Sequence, residues 1–228
     1  MKSRQQGFTL IEIAIVLVII GLLLGGVLKG QELITGARVR NLIQQQDGVK
    51  AAYFGFLDRF RALPGDYSQA VTTITNIAPT AACNNGNGNG DGQISPTTNN
   101  EAILAWEHLS KAGFINGTYT CAGTATTSTN PSNPYGQQLS LSFDNLYFDS
   151  AGTIPARHNL KTGGQIPSDI LGEIDRKIDD GNARQGSFRA ATGGTLGTAT
   201  ECYSTAGANI GVWVSTSPGP NCGGGTLF

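Results

Sequence analysis

A chain of 228 residues is long enough for one medium domain and an extension. Its formal net charge of −1 and pI near 6.1 exclude a bulk basic footprint for nucleic acid, and 14% charged residues falls well below the roughly 25% usual in soluble domains. Gly, Thr, Ser and Asn must therefore supply much of the polar surface, a composition that suits an exported protein.

The chain begins with a short polar leader, residues 1–7, whose Lys2 and Arg4 are accompanied by no acidic residue. This fits a cytoplasmic N-terminus under the positive-inside rule. An apolar run from Phe8 to Leu28 follows, long enough to span a bilayer. It is longer than the apolar stretch of an ordinary secretory signal, and no small-residue cleavage site of the A-x-A type follows it. One residue breaks the run: Glu12, which costs at least about 2.5 kcal/mol in a membrane segment if it has no partner. Residues 8–30 are therefore expected to form a transmembrane half of a helix, with any cut falling on the cytoplasmic side.

The residues Gly7-Phe8-Thr9-Leu10-Ile11-Glu12 resemble the processing motif of type IV prepilins and the related pseudopilins. The resemblance implies cleavage by a membrane prepilin peptidase between Gly7 and Phe8, methylation of the new amine at Phe8, and polymerisation. It further implies that Glu12 pairs with the N-terminus of a neighbouring copy and so sets the register of assembly. Physical reasoning agrees, because Glu12 lies at i+4 from Phe8 on one helix face, within reach of its own or a neighbour's ammonium. The implied partners are other copies of this chain or other pilins, the prepilin peptidase and an inner-membrane assembly platform. The implied location is the inner membrane for the precursor, then an extracellular filament or a periplasmic pseudopilus.

Beyond Leu28 the apolar positions Leu33, Ala37, Leu42, Ile43, Val49, Tyr53, Phe56, Leu57, Phe60 and Leu63 recur at spacings that include runs of three and four. They predict an amphipathic continuation over residues 31–63, stopped by Pro64-Gly65. A single helix from Phe8 to about Leu63 would be roughly 80 Å long. Gly21, Gly25, Gly26 and Gly30 weaken it locally, which suits either close helix packing or unwinding during assembly. Type IV pilins often carry a helix-breaking proline in this region, and this sequence has none.

From residue 64 to 228 a globular head is expected. Asn100–Ala112 reads as a helix closed by Gly113, and Ser168–Asp180 as another, with Ser168 as N-cap and Gly181 as its stop. Asp179 and Asp180 oppose the helix dipole, and Arg176 and Lys177 are expected to neutralise them. Strands are expected at Gln138–Phe143 paired with Leu146–Phe148 through an Asp144-Asn145 turn, and at Ile210–Ser215. The fold class is α+β: a long N-terminal helix, membrane-spanning in its first half, packed on a small antiparallel sheet, as in type IV pilins. The stretches Arg61–Tyr67 and Ile174–Gly181 are also similar to segments of larger bacterial prepilin-like proteins.

Cys83, Cys121, Cys202 and Cys222 form no C-x-x-C pair, which argues against a zinc ribbon or a thioredoxin-like site. Outside the cytoplasm they suggest two disulfides, with three connectivities open. Sequential pairing, Cys83–Cys121 and Cys202–Cys222, is favoured because each bond would close a Gly-rich loop. The Asn84–Ile94 loop contains Asn87-x-Asn89-x-Asp91-Gly92-Gln93, close to the start of an EF-hand calcium loop. Asn87, Asn89, Asp91 and the Gln93 carbonyl would be ligands. Thr98 stands where the bidentate Glu belongs, and Glu101 would substitute for it. The alternative is an Asn/Gly loop without a metal, and no cofactor is required on either reading. His108 and His158 have no nucleophile or ligand set at meaningful spacing, and no catalytic constellation marks an enzyme.

The function expected is that of a structural filament subunit serving adhesion, motility or DNA uptake. The alternatives are a minor pilin, a secretion pseudopilin, or a filament-borne binding module.

Overall fold

The computed structural model describes residues 9–149, 154–192, 196–207 and 210–228. The leader, with Gly7 and Phe8, lies outside the described residues. Contacts divide the chain into two units, residues 1–40 and 41–228, and helix α1 (Leu10–Phe60) contributes to both. In the first unit α1 runs unbroken through Gly21, Gly25, Gly26 and Gly30, none of which has a neighbour within 4 Å of a Cβ position. Every large apolar side chain from Leu10 to Leu28 is exposed. Lys29 pairs with Glu32 at 2.8 Å, directly after the apolar run.

In the second unit the α1 residues Val49, Ala52, Tyr53 and Phe56 enter the core, as their three- and four-residue spacing requires. The helix ends at Phe60, three residues before Leu63, because Arg61 adopts a left-handed conformation with φ of 53°. After it come α2 (Ala70–Thr73), a 3-10 segment (Ala81–Gly86) and α3 (Glu101–Lys111). Gly113 (φ 81°) closes α3 in a Schellman arrangement, with Gly113 N–H on Ser110 O and Phe114 N–H on Leu109 O. Trp106, Leu104 and Leu109 are fully buried.

The sheet contains β1 (Ser140–Asp144), β2 (Arg157–Lys161), β3 (Phe188–Ala190) and β4 (Gly224–Leu227), antiparallel throughout in the order β1-β2-β4-β3. Helices α4 (Ser168–Ile178) and α5 (Ala199–Cys202) lie in the connections. The register Leu141↔Leu160↔Thr226↔Phe188 puts these side chains on one face, toward the second-unit part of α1. There Thr226 Oγ1 donates to Gln46 Oε1 at 3.0 Å, and Tyr53 stacks on Phe228 at 4.8 Å. The opposite face carries Ser142, Asp144, Asn159 and Lys161, joined by a Lys161–Asp144 ion pair of 2.5 Å.

The α+β architecture agrees with expectation, but several local readings do not. The segment Leu146–Phe148 does not return along β1. Asp144 Oδ1 takes Leu146 N–H, and Tyr147 bridges to Ala191 instead, so β2 becomes the partner of β1. The expected strand at Ile210–Ser215 is only two isolated bridges, Val212 to Asn182 and Trp213 to Tyr203. Ser168 is the first helical residue rather than the N-cap. Its hydroxyl is spent on the chain after Trp213, donating to Val214 O and accepting from Gly219 N–H. Strand β4 was hidden by its glycines. Gly224 is required there because the Phe188 ring comes within 2.3 Å of any Cβ.

Candidate functional site

At the start of α1, Thr9 and Glu12 satisfy each other. Glu12 Oε2 accepts from Thr9 N–H at 2.8 Å and from Thr9 Oγ1 at 2.7 Å, while Glu12 N–H reaches Thr9 Oγ1 at 3.4 Å. This is a capping box, in which two of the helix's four orphan donors find partners. Glu12 Oε1 accepts no hydrogen bond among the described residues, so one oxygen stays open to a further donor. The Thr9-x-x-Glu12 spacing carried that signal, and Thr9 is the residue the sequence reading left out. The helix that follows is long and apolar enough to cross a membrane. Gly7 and Phe8, the expected processing pair, fall outside the described residues.

A second cluster forms where the Asn/Gly loop meets α3. Asp66 Oδ1 accepts from the Gly90 and Asp91 amides at 2.6 and 3.0 Å, and Oδ2 from Gly92 at 2.8 Å. Glu101 Oε1 and Oε2 accept from the Asn89 and Ser95 amides at 3.1 and 3.0 Å. Asp66, Asp91 and Glu101 each bring a carboxylate oxygen within 4.8 Å of the others, a spacing suited to a divalent cation. Asp91 and Glu101 belonged to the expected ligand set, and Asp66, which the sequence did not mark, lies with them. Asn87 Oδ1 is turned to Val71 N–H, Asn89 Nδ2 donates to Asp91 Oδ2, and Gln93 N–H is held by Asp91 Oδ1. Burial pushes the Asp66 and Glu101 carboxyls up, against the pull of their backbone donors. As arranged, these carboxylates clamp a loop.

Two more polar side chains of α3 act in the same way. Glu107, fully buried, accepts from the amides of Ala78 and Cys121 at 2.7 and 2.8 Å. His108, also fully buried, accepts from Gly65 N–H on Nδ1 at 2.9 Å. Its Nε2 lies 3.1 Å from Gly86 O, the geometry of a neutral imidazole protonated on Nε2. Burial lowers its pKa to about 4. His158 Nε2 accepts from Ile94 N–H at 3.3 Å. Cys83 is bonded to Cys121 and Cys202 to Cys222.

The third group is Asp175, Asp179 and Asp180. Asp175 accepts from Trp213 Nε1 at 2.7 Å, and burial raises its pKa to about 6. Asp179 accepts from Ser187 and from the Phe188 amide, which fixes the entry to β3. The expected neutralisation by Lys177 gives way to a Lys177–Glu173 pair at 2.5 Å.

Residues 2–28 match the model of the prokaryotic N-terminal methylation motif. No curated protein and no solved structure matches the chain.

Proposed function

We infer from this chain's N-terminal methylation motif, which supports membership of the type IV prepilin and pseudopilin family, that it is a structural subunit of a pilus-like filament. On this reading the chain is inserted as a membrane-anchored precursor, cut after Gly7, methylated at Phe8 and polymerised through residues 8–30. The observation that carries the reading is the coincidence of the motif with an apolar run, residues 8–28, whose sole ionisable residue, Glu12, keeps one carboxylate oxygen open among the described residues. Cutting at Gly7 supplies an ammonium at Phe8, and a neighbouring subunit supplies another copy of it. Pairing two desolvated charges rewards one axial register, since any other leaves both without a partner. Thr9 is the positioning residue: its two donors hold Oε2 and so orient Oε1. The partners are further copies of this chain or other pilins, the peptidase and the membrane assembly platform.

The test is substitution at Glu12. Glu12→Gln and Glu12→Ala are expected to be processed normally while filament yield falls about tenfold or more, the order expected when a desolvated charge pair loses one member. Unchanged yield in both variants would remove Glu12 from assembly.

A further inference from the structure

The sequence contains four Asn-Gly pairs, at 85–86, 87–88, 89–90 and 116–117, and three Asp-Gly pairs, at 47–48, 91–92 and 180–181. Such pairs are chemically labile. The backbone nitrogen of the glycine attacks the asparagine side-chain carbon, ammonia leaves, and a succinimide ring forms. Water then opens the ring to aspartate or to its β-linked isomer. The step needs the glycine N–H to be free to lose its proton and to swing onto the side chain. An amide already donating to an oxygen, on a backbone that cannot rotate, meets neither condition.

Within the Asn84–Ile94 loop three of the glycine nucleophiles are held. Gly88 N–H donates to Tyr67 O at 3.0 Å, Gly90 N–H to Asp66 O at 3.0 Å and to Asp66 Oδ1 at 2.6 Å, and Gly92 N–H to Asp66 Oδ2 at 2.8 Å. The side chains under attack are held too, since Asn87 Oδ1 takes Val71 N–H and Asn89 Oδ1 takes Asp91 N–H. Gly88 is packed so closely that a Cβ would fall 2.1 Å from the Asp66 carbonyl carbon. Gly86 is buried, and its carbonyl is bound by His108. Asn116-Gly117 differs from the 87–88 and 89–90 pairs in these bonds. Both residues are exposed, and among the described residues Gly117 N–H has no acceptor and the Asn116 side chain no partner.

We propose that Asn116 undergoes spontaneous deamidation faster than Asn87 and Asn89, and that Asp66 is the residue protecting the Asn89-Gly90 and Asp91-Gly92 pairs. The consequence is local: conversion adds a carboxylate at the edge of a groove of about 400 Å³ that Gln45, Phe114 and Tyr119 also line.

The experiment is peptide mapping by mass spectrometry of the full chain in detergent, after incubation in mildly alkaline buffer and reduction. In the folded protein Asn116 is expected to convert about tenfold or more faster than Asn87 and Asn89, the factor that hydrogen bonds of this kind supply. In strong urea the Asn-Gly pairs are expected to converge on similar rates. Asp66→Asn, checked for retained fold by circular dichroism, is expected to accelerate conversion at Asn89 and Asp91 and to leave Asn116 unchanged. Conversion at Asn87 or Asn89 as fast as at Asn116 in the folded chain would overturn the proposal. So would the same ranking in urea, which would assign it to local sequence.

Discussion

Two regions of one chain treat the same kinds of side chain in opposite ways. From Leu10 to Leu28 the large apolar residues are between 46% and 89% exposed, whereas Phe56, Leu104, Leu141, Leu160 and Phe188 in the head are fully hidden. At about 25 cal/mol per Å² of apolar surface, such a run left in water forgoes a large stabilisation. The head supplies its own environment; the first part of α1 is long and apolar enough to take its environment from a membrane. The polar residues show the same division. The head's carboxylates at Asp66, Glu101 and Glu107 have their acceptors occupied by backbone amides, and among the described residues Glu12 keeps one oxygen open.

The sharpest way to break the comparison is a pair of core and surface truncations. Phe56→Ala should cost the head about 3–5 kcal/mol in urea unfolding. Leu17→Ala should leave the head's stability within about 0.5 kcal/mol while lowering filament yield. Equal effects of the two on unfolding would erase the distinction. Next in size is the Cys202–Cys222 bond, which closes a 20-residue separation just before β4, the strand inserted between β2 and β3. Replacing both cysteines by serine should cost about 2–4 kcal/mol, read from the urea midpoint.

The third effect is a response to acid. His108 is held neutral with its folded pKa lowered to about 4 by burial, below the ordinary value of 6.5. Its contribution is complete above pH 6.5 and is lost as pH falls toward 4, by up to about 3 kcal/mol. Asp175, raised to about 6 by burial, has the opposite sign, and its contribution grows as pH falls through 6. Asp66 and Glu101, also pushed up by burial, act with it. Urea midpoints measured between pH 7 and 4 should therefore fall more steeply in Asp175→Asn and less steeply in His108→Gln than in the unaltered chain. Parallel curves for all three would contradict the assignment.

What the sequence disclosed followed the range of the forces involved. The long helix was legible because its apolar run and its three- and four-residue spacing are local, and α3 because Gly113 marks its end. The sheet was legible only at β1. The segment Arg157–Lys161 mixes charge with one leucine, Phe188–Ala190 is three residues long, and β4 begins with two glycines, so none shows alternation. The loop clamp was half legible: Glu101 was found by its nearness to the Asn/Gly loop. Asp66 gave no signal, because its bonds to residues 90–92 are tertiary. His108 offered no signal, since its partners Gly65 and Gly86 are backbone atoms far along the chain.

The central claim concerns the first residues of the mature chain and where that chain resides, and N-terminal mass spectrometry of sheared surface filaments tests both together. The account predicts a chain that begins at N-methylated Phe8 in the filament fraction. A chain that keeps Met1 and remains confined to the membrane would contradict it.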